Sequence, residues 1–218
     1  MSLNSTYNFK NSLPIDFENF GFAQREKVGE KLVIFRCGRD FLYYALHYYK
    51  SAKYNTKNFP PKKIEDEGIL GMRLPWWLMW TTLQFNKLPS LLVEEQIELK
   101  INNTFITNYL SFFKAFIAPK KISTEEAIKV VEKAIDQHEV SGIDISLGLF
   151  GLVDHVIFVF AYDVDNFYVF DTQKLQKLEY EKITSRNDFR FIMKLPKDIV
   201  RKRWSRFGRV WVITPQKF

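Results

Sequence analysis

The segment that most limits the fold of this chain is the run His155-Val156-Ile157-Phe158-Val159-Phe160-Ala161-Tyr162, turned by Asp163-Val164-Asp165-Asn166 into Phe167-Tyr168-Val169-Phe170. β-Branched and aromatic residues at that density suit a buried strand. The Asp/Asn cluster supplies turn chemistry, so the whole segment is expected to form a β-hairpin. Ile143 to Leu149 is a further strand candidate before it. Arg209-Val210-Trp211-Val212-Ile213 is another after it, ending at Pro215.

Upstream of Gly142 the spacing is mostly helical. Phe41, Leu42, Ala45, Leu46 and Tyr49 give an amphipathic helix from about Arg39 to Ala52. Pro75-Trp76-Trp77-Leu78-Met79-Trp80 opens a second, to about Phe85, with proline in the first turn. Leu91 to Val93 is ambiguous, and Ile97 to Ile101 is more strand-like. Asn103 to Phe116 is expected to be helical. Ser123 and Glu126 have the spacing of a capping box for a helix whose face is Ala127, Val130, Val131 and Ala134. Helices first and strands later predict an α+β fold, with N-terminal helices packed on a C-terminal antiparallel sheet. The chain has 218 residues, and its proline-marked breaks at Asn58–Lys62 and Ala118–Lys121 are short. One domain over 1–218 follows, with a helical insertion around 72–137.

At 46% hydrophobic and 26% charged residues the composition excludes a disordered chain. No stretch of about 18 apolar residues occurs, so no membrane span is expected. Met1 to Lys10 has no apolar signal core, which predicts a cytoplasmic protein. The net charge of +7 permits attraction to nucleic acid or anionic surfaces without identifying either. The basic run Arg201-Lys202-Arg203-Trp204-Ser205-Arg206 suits a solvated helix face and carries no nucleic-acid motif, so nucleic acid is not an expected partner. One cysteine and three scattered histidines lack metal-ligand spacing, and no phosphate-cradling glycine motif occurs. No metal or cofactor is expected.

Cys37 stands at the N-terminal edge of the first helix, followed by Gly38. A lone cysteine is a small buried residue, an incidental thiol or a nucleophile. Open N–H groups at a helix N-terminus favour the thiolate and so the third reading. A thiolate hydrolase needs a base. His47 lies ten residues along the helix, roughly 15 Å from Cys37, and His138 sits among polar residues. His155, at a loop-to-strand edge, is either the base or a satisfied strand-end histidine. Asp171 ends the returning strand of the hairpin, where it orients the base or forms a turn with Thr172. Asp154 points to the other sheet face from His155, and Asp163 is roughly 26 Å up the strand.

Cys37-Gly38-Arg39-Asp40-Phe41-Leu42-Tyr43-Tyr44-Ala45-Leu46-His47-Tyr48-Tyr49 resembles the cysteine-bearing helix of C39-like papain-fold peptidases. The segment from His155 to Tyr162 and the sequence Tyr168-Val169-Phe170-Asp171 resemble that family's histidine strand and following aspartate. The resemblance implies a papain-like cysteine peptidase fold and thiol acyl transfer on a peptide or other amide. Cys37 would be the nucleophile, His155 the base and Asp171 its orienting partner, with the Cys37 N–H and a second donor meeting the oxyanion. The family places a glutamine a few residues before the cysteine as that donor. Lys31 occupies that neighbourhood here, and Gln24 is the glutamine available, while Arg39 replaces the usual proline. A cysteine acyltransferase and a binding module that has lost turnover are the alternatives on the same fold.

Overall fold

The structure, a computed structural model, describes residues 9–15, 27–28, 31–32, 37–54, 88–146, 154–170, 181–185, 191–204 and 208–216. In chain order the elements are β1 (Asn11–Ser12), β2 (Lys27–Val28), β3 (Lys31–Leu32), α1 (Cys37–Tyr49), α2 (Leu88–Glu94), β4 (Ile97–Ile101), β5 (Thr104–Phe105), α3 (Tyr109–Ile117) and α4 (Thr124–Asp136). β6 (Val140–Ser146), β7 (Asp154–Tyr162), β8 (Asn166–Phe170), β9 (Glu181–Ser185), β10 (Phe191–Pro196), α5 (Lys197–Arg203) and β11 (Val210–Pro215) follow.

Nine strands form one sheet in the order β5-β4-β11-β6-β7-β8-β10-β9, with β1 pairing β7. Every pairing described is antiparallel. β6 opposes β7 from Ser141↔Val159 to Ser146↔Asp154, and β1 takes up the next positions of β7, at Ala161 and Tyr162.

Strand alternation gives the sheet two apolar faces. On one, Val140 of β6, Phe158 of β7 and Trp211 of β11 pack with Phe41, Tyr44 and Leu46 of α1 and Phe112 of α3. On the other, Ile143, Ile157 and Val210 pack with Ala127, Val131 and Ile135 of α4 and with Ile199 and Val200 of α5. The result is three layers, α/β/α, around two cores.

The α+β class and the antiparallel sheet agree with expectation, but the order of elements differs. β4 and β5, from the middle of the chain, join the same sheet, and α5 interrupts the late strands. Helices therefore cover both faces. The described part of 72–137 supplies two of these strands as well as helices. The expected helix over Asn103–Phe116 starts only at Tyr109. Asn102 and Asn103 take positive φ (47° and 62°) in the β4–β5 turn, a conformation asparagine tolerates. The buried Asn102 side chain accepts from Val210 N (2.8 Å) and donates to the carbonyls of Lys120 and Gly208. Asn108 then caps α3 in a reciprocal box with Ser111. Ser123 accepts from Glu126 N (3.1 Å) at α4, as its spacing predicts. The first helix runs from Cys37 to Tyr49 rather than from Arg39 to Ala52. The expected helix at Pro75–Phe85 lies outside the described residues.

Two polar clusters lock elements together. The β7–β8 turn folds around Asp163, whose carboxylate accepts from the N–H groups of Asp165 (2.9 Å) and Asn166 (2.7 Å) and from Tyr168 Oη. The buried Lys197 ammonium ties that turn to α4 through the carbonyls of Asp163 and Val164 and through Glu132. Glu95, 1% exposed, accepts from Lys53 and Tyr54 and pairs with Lys50, fastening the end of α2 to the end of α1.

A Cβ at Gly142 would stand 2.7 Å from Phe41 Cε2 and 3.1 Å from the Ile157 carbonyl oxygen. Gly142→Ala is therefore expected to lift α1 and destabilise the fold by about 1–3 kcal/mol in urea unfolding. Burial alone would raise the Glu95 pKa, but Lys53, Tyr54 and Lys50 outweigh it and hold the carboxyl below its ordinary value. A lowered folded-state pKa stabilises above the unfolded value and is lost as pH falls through the folded one. Glu95→Gln is expected to cost about 1–2 kcal/mol at neutral pH. Thermal unfolding should show that deficit undiminished down to about pH 5 and closing below about pH 4.

Candidate functional site

α1 lies antiparallel to β6, and its contacts fix where its N-terminus points. At the C-terminal end, Tyr49 Oη donates to the Ile213 carbonyl (2.7 Å) and accepts from Val140 N (3.0 Å). Two turns earlier Phe41 sits over Gly142, with ring centroids 6.0 Å from Trp211 and 6.3 Å from Phe158. Cys37 precedes Phe41 by four residues, about 6 Å of helix. Asp144 follows Gly142 by two, about 7 Å of strand. The first turn of α1 therefore projects toward the end of the sheet where Asp144 opposes Val156 and where β7 begins.

His155 stands at that end, opposite Ile145 and 1% exposed. Alternation groups it with Ile157 and Val159, which pack under α4 and α5. α1 covers the other face, that of Val156 and Phe158. The fold thus brings the Cys37 backbone and His155 to the same end of the sheet, with the sheet between α1 and the face to which alternation assigns the imidazole. The side chain of Cys37, and Asp171 and Gln24 altogether, lie outside the described residues. β8 ends at Phe170, opposite Phe158. His47 is buried within α1, and His138 is exposed at φ 56° just after α4.

One buried charged group at this end escaped the sequence reading. Asp144, 3% exposed, lies on the α1 face and accepts from Arg209 Nε and from Trp211 Nε1 (2.9 Å). Arg209 is equally buried. Its Nη1 donates to the Phe116 carbonyl (2.7 Å), and its guanidinium lies 4.0 Å from the centroid of the Phe116 ring. Burial pushes the Asp144 carboxyl up, while Arg209, Trp211 and the nearby His155 draw it down, and burial prevails. The available sequence signal was a carboxylate between two isoleucines, Ile143-Asp144-Ile145, in a strand buried on both faces. Such a group requires a buried donor, and Arg209 immediately precedes the strand that pairs with it.

Among the described residues no group of three or more His, Cys, Asp or Glu side chains is placed to hold a metal ion. No described helix is long and apolar enough to cross a membrane. No protein-family model, no curated protein and no solved structure matches the chain.

Removing one partner of a buried ion pair strands the other charge. Asp144→Asn is expected to destabilise by about 3–5 kcal/mol in urea unfolding. The double variant Asp144→Asn/Arg209→Met should recover part of that loss, and a double variant no more stable than the single would remove the pairing as the cause.

Proposed function

We propose that the protein is a cysteine hydrolase of the papain-like kind, resembling the C39-like peptidases, that cleaves a peptide or related amide. The observation that carries this reading is the aim of α1. The helix begins at the only cysteine of the chain, and its first turn points at the sheet end where β7 starts and His155 is its second residue. Unpaired N–H groups of that turn favour the thiolate. In the reaction the Cys37 thiolate adds to the substrate carbonyl carbon, and the oxyanion is met by the Cys37 N–H and by a second donor, for which Gln24 is the candidate. His155 carries the thiol proton to the leaving amine as the C–N bond breaks. Water, deprotonated by the same imidazole, then releases the acid from the thioester. Asp171 holds the imidazolium.

A second reading, a binding module that keeps this architecture without turnover, is favoured by the burial of His155 and by the sheet face to which alternation assigns it. Iodoacetamide labelling of Cys37 across pH separates the two. Hydrolase chemistry predicts labelling that persists well below the ordinary thiol pKa of about 8.5. It predicts further that His155→Ala lowers the neutral-pH rate by about tenfold or more and returns the profile to that of an ordinary thiol. An ordinary thiol profile in the unmodified protein rejects the hydrolase, however well the variant folds.

A further inference from the structure

The outer side of α3 carries two of the exposed large apolar side chains of the described surface. Leu110 is 59% and Phe113 41% exposed, one helical turn apart, with Lys114 beside them on the same stripe. The inner side of the same helix, Phe112 and Ala115, is buried against the core shared with α1. From Leu99 to Thr124 the chain has no Asp or Glu, and it carries Lys100, Lys114, Lys120 and Lys121. Lys100 lies over the Phe105 ring of edge strand β5 (4.6 Å to the centroid), away from α3. Lys120 and Lys121 follow α3 and are exposed, and the Asn102 bond to the Lys120 carbonyl fixes the chain there.

We propose that this face, Leu110 and Phe113 with Lys114 beside them and Lys120 and Lys121 following the helix, docks the protein on an anionic lipid surface. Charge decides the occupant. A segment that carries lysines and no carboxylate repels a second copy of the same face. Nucleic acid would satisfy the lysines but leaves Leu110, the more exposed of the two apolar groups, without a role. A lipid leaflet takes both parts, with the apolar side chains in the headgroup–acyl boundary and the ammonium groups among anionic headgroups. The helix lies on the surface rather than across it. The net charge of +7 acts in the same direction.

The test is sedimentation of the full chain with vesicles of phosphatidylcholine alone and of phosphatidylcholine mixed with phosphatidylglycerol. Binding is expected to the mixed vesicles only and to weaken with salt. Leu110→Ser/Phe113→Ser should lower the partition by about tenfold or more, and Lys114→Glu by roughly fivefold. All three positions are exposed, and far-UV circular dichroism checks that the variants keep their fold. Absence of binding to the mixed vesicles, equal binding to neutral ones, or a partition unchanged in the serine variant each overturns the proposal. So does tighter binding to single-stranded polyuridylate that the serine variant leaves intact. The result is independent of Cys37 labelling.

Discussion

Burial of β6 on both faces governs the rest of the structure. With α1 on one side and α4 on the other, the strand is buried from Val140 to Ile145, and each of those positions must meet a specific neighbour. Gly142 has no side chain because Phe41 fills that space. Tyr49 reaches across the sheet to Val140 N and the Ile213 carbonyl. The direction of α1, and with it the location of Cys37, follows from these two contacts along one strand. The candidate site is in this sense a by-product of core packing.

The same burial explains the Asp144–Arg209 pair. A carboxylate in this position is tolerable only with its lone pairs occupied, and Arg209 and Trp211 supply donors from the neighbouring strand. The guanidinium is in turn held by the Phe116 carbonyl and the face of its ring, so the pair binds β6, β11 and α3 in one network. Replacing such a pair by apolar residues is often neutral in stability, whereas removing one partner alone is costly. The Asp144 end of the pair lies on the sheet face that α1 covers, at the end toward which the first turn of that helix projects.

Much of this arrangement was legible from residue order. The β7–β8 hairpin, β4, β11 and the capped start of α4 are local patterns, set by alternation, turn residues and a serine cap, and each lies where its pattern indicates. What was not legible depends on distant partners. The delayed start of α3 follows from Asn102 bonding to residues more than a hundred positions away, at Gly208 and Val210. The entry of β4 between β5 and β11 is likewise a long-range pairing. For the site, the sequence placed Cys37 and His155 within one or two residues of a helix start and a strand start, since α1 begins at Cys37 rather than Arg39 and β7 at Asp154. Which sheet face His155 occupies could not be read, since it depends on the register with β6. Asp144 passed unnoticed because a charged residue in a strand is ordinarily taken as solvent-facing.

The position of β11 has a bearing on biosynthesis. Among the described strands it comes last in sequence, yet it sits between β4 and β6, pairing Trp211 with Ile101 on one edge and with Gly142 on the other. Until it leaves the ribosome the sheet is two separate pieces, each with an open apolar edge. Contacts spanning that much sequence close slowly, and half-made sheets of this kind adhere to one another. The nascent chain therefore passes through a vulnerable interval, in which chaperone capture or pairing with a neighbouring polypeptide competes with insertion of a single short strand.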